Sequence, residues 1–356
     1  VCELNLPSKL TIISKSVFSD CFGLTGSLVI PDSVTEIGDE AFYNCIGFLG
    51  TLTLPSSLIK IGRSAFFKCS FSGELKIPNS TEIISESSFY QCNNFEGSLI
   101  IPNSVKELGN DSFNQCSGFK GELILSNQLL NITRNSFIFC SFTGSLIIPD
   151  SVEEISESSF SYNTGFDGTL TLSNKLKRIC SNSFLFCNSF IGPLNIPDSV
   201  LEIGNSSFSG CWSFESLKLS NNLQIIGTSS FSSCSSFSGS LIIPSSVESI
   251  GSKSFSSCSG FTSTLTLSNK LTVIPESIFS YCDGFTGSLI IPNSVVEIKE
   301  EAFFGCSGFD GNLQLSNKLK TISNNAFSNC SKFSGSLTIP HSVIEIGEES
   351  FLGCFG

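Results

Sequence analysis

The 16 cysteines of this 356-residue chain have the most varied chemistry, since a thiol can bind a metal, form a disulfide or act as a nucleophile. Fourteen of them occupy one repeated position, from Cys21 to Cys354. Zinc needs four ligands that converge, whereas this spacing sets the sulfurs in a line. A disulfide needs Cβ atoms about 3.5–4.5 Å apart, closer than parallel rungs about 4.7–4.9 Å apart. We therefore predict buried, unreactive thiols, with Cys2 and Cys180 exposed.

No arrangement of residues in the sequence is typical of an enzyme. The sole histidine, His341, follows Pro340 at a turn position where other copies of the repeat have Asp or Asn, so a Ser/His/Asp or Cys/His relay is not indicated. The carboxylates of Glu153 and Glu154 are adjacent in the chain and do not form the facing pair of a glycosidase. The glycines follow the repeat and match neither a phosphate loop nor a dinucleotide motif. We predict a non-enzymatic protein without catalytic residues, metal ligands or cofactors.

Composition and charge exclude further classes of protein. With 31 acidic and 19 basic residues the net charge is −12, the wrong sign for binding phosphate backbones, so we expect no nucleic acid partner. Uninterrupted apolar runs never exceed four residues, and a membrane span needs about 18 or more, so we expect no transmembrane segment in this chain. The 34 Phe residues indicate a packed core. The chain begins with Val and contains no Met, so we expect a fragment of a longer chain whose signal or anchor lies outside it.

A repeat of 23 or 24 residues organises the whole chain. Its marker is a Phe followed three residues later by Cys, or in one copy by Asn163, whose side chain we expect to hydrogen-bond the backbone there. The fifteen markers are Phe18, Phe42, Phe66, Phe89, Phe113, Phe137, Phe160, Phe184, Phe208, Phe231, Phe255, Phe279, Phe303, Phe327 and Phe351.

Each copy contains a short strand signal. In one copy Leu99 and Ile101 alternate with exposed positions, Pro102 ends the strand, and Val105 and Leu108 are expected to point back inward. A unit this short cannot bury these side chains alone. We therefore predict a mainly β solenoid of about fifteen turns that forms a single domain over residues 1–356.

The run Leu-Val-Ile-Pro-Asp-Ser-Val-Thr-Glu-Ile-Gly-Asp-Glu-Ala-Phe-Tyr-Asn-Cys, from Leu28 to Cys45, resembles the BspA-like, Treponema pallidum-type class of leucine-rich repeat. The resemblance covers the chain from end to end and implies a leucine-rich repeat solenoid with a parallel concave β-sheet. Members of the family are found on the surfaces of bacteria and mucosal protozoan parasites, and several are regarded as adhesins. The resemblance therefore implies a cell-surface or secreted, adhesin-like protein. The insert from Gly284 to Leu289 is similar to that of the protozoan-parasite members.

Successive copies also differ in a regular way. From residue 102 onward, copies with Ile-Pro after the strand alternate with copies that have Leu-Ser, which gives a longer period of about 47 or 48 residues. Charged residues follow this alternation, because stacking sets Glu36 beside Lys60 and Arg178 between Glu154 and Glu202. We interpret these pairs as control of the register between turns.

The outward positions of the strands provide the candidate binding surface. If Leu99 and Ile101 face inward, Ile100 and its equivalents tile one exposed parallel sheet. The predicted partner-binding residues are Val29, Lys76, Ile100, Glu122, Ile124, Ile147, Ile242 and Ile290. Exposed apolar rows of this kind mark docking sites, although Ile and Thr also suit strands for their own sake. The hypothesis is that this face contacts a protein or glycan on host cells or in matrix.

A structural role is the alternative hypothesis. Solenoids that expose an unprotected end tend to stack end to end. A self-assembling protein of this kind would form filaments or a surface coat through end-to-end self-association.

Overall fold

The computed structural model describes residues 2–354. Over this range the backbone consists of strands of two or three residues separated by tight turns, and no helix forms. The strands pair in parallel and stack as a β-solenoid of about 14 turns of about 24 residues each. The fifteen Phe markers bound fourteen such intervals. The prediction of a mainly β solenoid is therefore confirmed.

The strands between residues 2 and 354 are Cys2–Glu3 (β1), Ile12–Ile13 (β2), Leu24–Thr25 (β3), Leu28–Val29 (β4), Glu36–Ile37 (β5), Leu52–Thr53 (β6), Lys60–Ile61 (β7), Gly73–Glu74 (β8), Ile83–Ile84 (β9), Phe95–Glu96 (β10), Leu99–Ile100 (β11), Glu107–Leu108 (β12), Leu123–Ile124 (β13), Asn131–Ile132 (β14), Leu146–Ile147 (β15), Glu154–Ile155 (β16), Leu170–Thr171 (β17), Arg178–Ile179 (β18), Pro193–Asn195 (β19), Glu202–Ile203 (β20), Ser216–Lys218 (β21), Ile225–Ile226 (β22), Leu241–Ile242 (β23), Ser249–Ile250 (β24), Leu265–Thr266 (β25), Val273–Ile274 (β26), Leu289–Ile290 (β27), Glu297–Ile298 (β28), Leu313–Gln314 (β29), Thr321–Ile322 (β30) and Glu345–Ile346 (β31).

The chain divides into two compact units, Val1–Leu176 and Lys177–Gly356. The single-domain interpretation of the sequence stays a prediction. Within both units most turns contain two strands. We call the strand at the Leu-x-Ile signal the first strand, as in β11, and the strand that ends at the next inward residue the second strand, as in β12.

The second strands form the longer sheets. In the first unit β2, β5, β7, β9 and β12 pair in this order, and β14 pairs with β16. In the second unit β18, β20, β22 and β24 form one run, and β26, β28, β30 and β31 form another. Like residues lie beside like residues, so that Ile13, Ile37, Ile61 and Ile84 form one buried row. The inward positions predicted for Val105 and Leu108 are confirmed.

The first strands form a series of two-stranded pieces rather than the one continuous sheet expected. The pieces are β4–β6, β11–β13, β15–β17, β19–β21, β23–β25 and β27–β29. Each joins an Ile-Pro turn to the turn that follows it, and side-chain hydrogen bonds act within the same pair. The amide of Glu122 donates to Ser98 Oγ at 3.0 Å, and the buried Ser126 Oγ donates to Val105 O at 2.7 Å. The two-turn period of the sequence is thus a hydrogen-bonded unit.

Two columns of Phe side chains fill the core. Rings of the marker column stack on each other, with centroids 5.5 Å apart for Phe42 and Phe66, and a second column stacks beside it, 4.9 Å apart for Phe48 and Phe71. Edge-to-face contacts join the columns, as between Phe42 and Phe48 at 6.4 Å. Stacked and edge-to-face pairs add about 0.5–1.5 kcal/mol each to the burial of their apolar area.

The backbone around each marker Phe forms a second inter-turn ladder. Phe42 N donates to Ala65 O at 2.8 Å, and the amides two residues on either side, at Glu40 and Asn44, donate to the next turn as well. Glu40 and Asn44 have φ angles of 56° and 58°, in the left-handed region that costs a residue other than glycine about 1–3 kcal/mol. The hydrogen bonds to the next turn hold the strained backbone in place.

The cysteine column lies against this ladder. Cys116 Sγ donates to Phe89 O in the preceding turn at 3.0 Å, and the same contact recurs along the column. Asn163 takes the position of the missing Cys and its Nδ2 donates to Phe137 O at 2.7 Å and Phe160 O at 2.8 Å. The expectation that Asn163 hydrogen-bonds the backbone is therefore confirmed.

Two of the predicted ion pairs form. Lys60 Nζ lies 2.9 Å from Glu36 Oε1 in the neighbouring strand, and this hydrogen bond raises the pKa of Lys60. Arg178 Nη2 lies 2.7 Å from Glu202 Oε2, again between residues in register. These pairs are partly exposed, and such pairs contribute about 0.2–1 kcal/mol each.

Replacing Asn163 tests the hydrogen bonds of the column. Asn163→Ala removes the side-chain hydrogen bonds to Phe137 O and Phe160 O, of which Phe160 O keeps its bond from Asn163 N, so we expect the free energy of unfolding to fall by about 1–3 kcal/mol in denaturant titrations. Asn163→Cys restores the donor of the other turns and removes the Oδ1 atom, which has no hydrogen-bond partner. It should be no less stable than the parent protein. Equal losses in the two variants would contradict this account.

The register interpretation is tested by reversing one charge. Arg178→Glu places a carboxylate opposite Glu202, so we expect the melting temperature to fall by about 1–4 °C at low salt. The difference should shrink at high salt, because exposed charges are screened, and the double variant Arg178→Glu, Glu202→Arg should recover the part of it that is due to Glu202. An unchanged melting temperature for Arg178→Glu would rule out a role in register.

Candidate functional site

The outward side chains of the first strands form an exposed surface, which we call the first-strand face. Ile100 is 53% exposed, whereas Leu99 and Ile101 on either side of it are buried. The predicted alternation of inward and outward residues is therefore confirmed. The other predicted aliphatic residues are also open to solvent, with exposures of 60% for Val29, 46% for Ile124, 63% for Ile147, 62% for Ile242 and 54% for Ile290.

Strand pairing decides which of these residues are neighbours. Ile100 lies beside Ile124 in register, so these two predicted residues are in one two-stranded piece. Ile147 belongs to the next piece, where its partner is Thr171. In the second unit Ile242 lies beside Thr266, and Ile290 lies in a separate piece, beside Gln314. Ile100 and Ile124 thus lie beside each other, whereas Ile147, Ile242 and Ile290 each have a hydroxyl or amide side chain as their partner in register.

The two predicted charged residues lie at the edges of this surface. Lys76 follows β8 instead of lying in a first strand, and its Nζ is 3.5 Å from Glu74 Oε2. The side chain of Glu122 is exposed immediately before β13. Their role in binding stays a prediction.

Other side chains with chemical potential are dispersed or buried. Residues 2–354 contain no group of three or more His, Cys, Asp and Glu side chains able to hold a metal ion. His341 lies in an exposed turn, as predicted. Within residues 2–354, which include all 16 cysteines, no disulfide forms, and twelve of the cysteines are buried. Cys2 is exposed as predicted, whereas Cys180 is only half-exposed because its copy of the repeat packs it partly inside.

Burial controls the chemistry of the thiols. Removal from water raises the pKa of Cys45, Cys140 and Cys258 to about 12, because the thiolate loses its hydration. The hydrogen bonds to carbonyl oxygens require the protonated thiol as donor. At neutral pH these cysteines therefore act as small packing groups.

We expect thiol titration to follow this burial. Cys2 should react at once in the native protein, the half-buried thiols more slowly, and the twelve buried thiols only after unfolding. Unfolded thiols ionise near a pKa of about 8.5, so the unfolded state releases protons first as the pH rises. The free energy of unfolding should be unaffected by the thiols below that pH and should fall from there towards pH 12. A dozen fast-reacting groups in the native protein would refute the burial.

An aromatic cluster was missed by the sequence analysis. The rings of Tyr43, Phe67 and Tyr90 stack at centroid distances of 4.7 and 4.8 Å on the surface just beyond the marker Phe, and Phe139 stacks on Tyr162 at 4.7 Å. The signal was present in the sequence, because aromatic residues follow the marker Phe by one or two positions in these turns.

Comparison with known families agrees with this architecture. The model of the BspA type leucine rich repeat region (6 copies) matches residues 1–120, 82–211, 168–286 and 285–356. The chain therefore belongs to this family of leucine-rich repeat proteins, and the resemblance inferred from its sequence is confirmed. No curated protein matches the chain.

Solved structures include similar solenoids. A leucine-rich repeat protein from Bacteroides ovatus is 24% identical with a TM-score of 0.71, and the match covers 99% of this chain and 84% of that protein. A leucine rich cell surface protein from Faecalibacterium prausnitzii is also 24% identical, with a TM-score of 0.46 and coverages of 94% and 88%. The similarity to the Bacteroides protein concerns the fold. The described residues include no helix that could cross a membrane.

Proposed function

We propose that this chain is a non-enzymatic, cell-surface or secreted binding protein of adhesin-like function. Its partner is a protein, matrix component or glycan on host cells, and its binding surface is the first-strand face. The observation that carries the proposal is the row of exposed branched aliphatic side chains on that face. The family supports the location, because the BspA-like proteins that this sequence resembles are found on cell surfaces.

The composition of the first-strand face favours binding over strand propensity alone. Thr has the strand propensity of Ile without its apolar surface, and Thr occupies the partner positions Thr53, Thr171 and Thr266. The residues beside them in register are nevertheless Val29, Ile147 and Ile242. Exposure of aliphatic groups to water is unfavourable, and covering them with a partner lowers the free energy. Such exposed groups are typical of docking surfaces.

Polar groups surround these aliphatic residues. Hydroxyl pairs precede the strands, such as Ser145 with Thr169 at 3.3 Å and Ser240 with Thr264 at 3.2 Å. An apolar centre with a hydrogen-bonding rim is the usual composition of a protein interface. The same hydroxyls can bond to the hydroxyl groups of a glycan.

Removing the apolar row tests the proposal. The triple variant Ile100→Ser, Ile124→Ser, Ile147→Ser should bind host cells or matrix-coated surfaces at least about tenfold more weakly than the parent protein, because three apolar contacts are lost. These side chains are exposed, so its unfolding midpoint should stay close to that of the parent protein.

A matched control removes the same side chains from another surface. Ile12→Ser, Ile59→Ser, Ile225→Ser alters residues that are 52%, 47% and 43% exposed on or next to second strands. This variant should bind as the parent protein does. Adhesion that survives the first triple variant, or falls equally in both, would exclude the first-strand face as the binding surface.

A further inference from the structure

An aromatic ring lies open at the surface of the first unit. Phe139 is the second residue after the marker Phe137, and its backbone has a φ angle of 56°. One face of its ring stacks on Tyr162 of the following turn, at a centroid distance of 4.7 Å. Phe139 stacks on no other ring between residues 2 and 354, and 44% of it is exposed. The ring face towards the preceding turn therefore has no aromatic partner.

The preceding turn leaves this ring face uncovered. Its residue at the same repeat position is Gln115. Gln115 Oε1 accepts a hydrogen bond from Gln91 Nε2 at 2.7 Å, and Gln115 Nε2 donates to Tyr90 Oη at 3.3 Å. Both partners belong to the turn before, on the side away from Phe139. These two hydrogen bonds hold the amide back from the ring.

A cavity of about 380 Å³ lies beside the open ring face, and we call it the Phe139 pocket. Phe139, Gln115, Asn93 and Ser117 line it. Asn93 and Ser117 each follow a cysteine of the column in successive turns, so the pocket extends over three turns of the solenoid. Its volume is within the range of about 300–1,000 Å³ typical of ligand pockets. None of the four residues lies in a first strand, so the pocket is separate from the first-strand face.

The backbone holds the pocket in a fixed shape. Phe139 N donates to Ser161 O at 3.0 Å, and Gln115 N donates to Ile138 O at 2.8 Å. Both bonds belong to the ladder that runs beside the marker column. A site that is already ordered loses less conformational entropy when it binds a ligand.

The chemistry of the lining selects the class of ligand. All four lining side chains are uncharged, which favours a neutral ligand over an ion. The face of an aromatic ring carries negative charge density and attracts polarised C–H groups. Amide and hydroxyl side chains both donate and accept hydrogen bonds. A pyranose sugar has C–H groups on its ring face and hydroxyl groups around its rim, so it matches both parts of the pocket.

We propose that the Phe139 pocket binds one hexopyranose unit of a glycan, with equatorial hydroxyl groups as in β-glucose. The C–H face of the sugar lies on the Phe139 ring, and its hydroxyl groups bond to Asn93, Gln115 and Ser117. Gln115 keeps its present bonds, because its amide has a further N–H and a further lone pair. Equatorial hydroxyls are required because an axial one would separate the C–H face from the ring. The pocket does not depend on the function proposed for the first-strand face.

Titration of the parent protein with methyl β-D-glucopyranoside, followed by NMR, tests the proposal. We expect a dissociation constant of the order of 1 mM, with upfield shifts of the sugar ring protons that lie over the aromatic ring. Cellotriose, which contains the same unit in a chain, should bind at least as tightly. Acetyl-tyrosine amide, the probe for a peptide ligand, should bind more weakly. Failure of either sugar to bind, or tighter binding of acetyl-tyrosine amide, would overturn the proposal.

Substitutions in the pocket should weaken the binding of methyl β-D-glucopyranoside. Phe139→Ala should do so at least about tenfold, because the ring provides the apolar contact. Asn93→Ala and Ser117→Ala each remove one hydrogen bond and should weaken binding about two- to tenfold. Gln115→Phe extends the stack of rings over the open face of Phe139 and should abolish binding. Unchanged binding by the Gln115→Phe variant would refute the assignment, even if Phe139→Ala fails to fold.

A matched control removes an exposed ring from elsewhere in the chain. Tyr281 is 57% exposed at the same repeat position in the second unit, where the preceding turn has Ser257 and no amide. Tyr281→Ala should bind the sugar as the parent protein does. Equal losses in Tyr281→Ala and Phe139→Ala would contradict a specific pocket.

The triple Ser variant of the first-strand face distinguishes the two proposed sites. It leaves the Phe139 pocket unaltered, so it should bind methyl β-D-glucopyranoside with the dissociation constant of the parent protein. Weaker adhesion to host cells with unchanged sugar binding would support two separate sites. Loss of sugar binding in this variant would assign the sugar to the first-strand face, and the Phe139 pocket would then be wrong.

Discussion

The stacking of each turn on its neighbour is the interaction on which this structure depends. A turn of about 24 residues has one inward marker Phe and cannot bury both faces of that ring by itself. Phe113 therefore packs between Phe89 and Phe137, at centroid distances of 5.2 and 5.8 Å, and its amide donates to Ser136 O in the following turn at 2.9 Å. Side-chain burial and backbone pairing both require the adjacent turn, so neither can change spacing without the other.

This dependence explains why chemically diverse positions behave alike. A residue repeated in every turn meets its own copy above and below, so a column is stable only if identical groups tolerate each other. Phe rings stack and thiols donate to carbonyls, whereas identical charges would repel. Opposite charges face each other at Glu36 and Lys60 and at Arg178 and Glu202.

Departures from the repeat are the positions with individual meaning. Asn163 keeps the hydrogen bond of the cysteine column by different chemistry, so the column continues through it. Thr133 and Pro275 stand where the preceding turns have Gly109 and Gly251, whose amides donate to the turn before. No such bond forms from Thr133 or Pro275 in the described backbone, and the second-strand sheets are interrupted at these two junctions. Exposed aliphatic residues on the first-strand face are a third departure at Val29, Ile147 and Ile242, whose partners in register are Thr. Such departures are the positions at which the surface of one turn differs from that of its neighbours, because the repeat itself maintains the core.

The sequence alone predicted the period, the mainly β solenoid, the buried Phe and Cys columns, and the outward direction of Ile100 and its equivalents. These follow from residue type and spacing, because a side chain that recurs once per turn must meet the same environment each time. The tertiary structure decided what depends on distances between turns. It divided the first strands into pairs, placed Ile147 in a different piece from Ile124, and interrupted the second-strand sheets at Thr133 and Pro275. Those outcomes depend on which amide reaches which carbonyl across a junction, and differences of about an ångström in backbone position decide that without altering the pattern of residues.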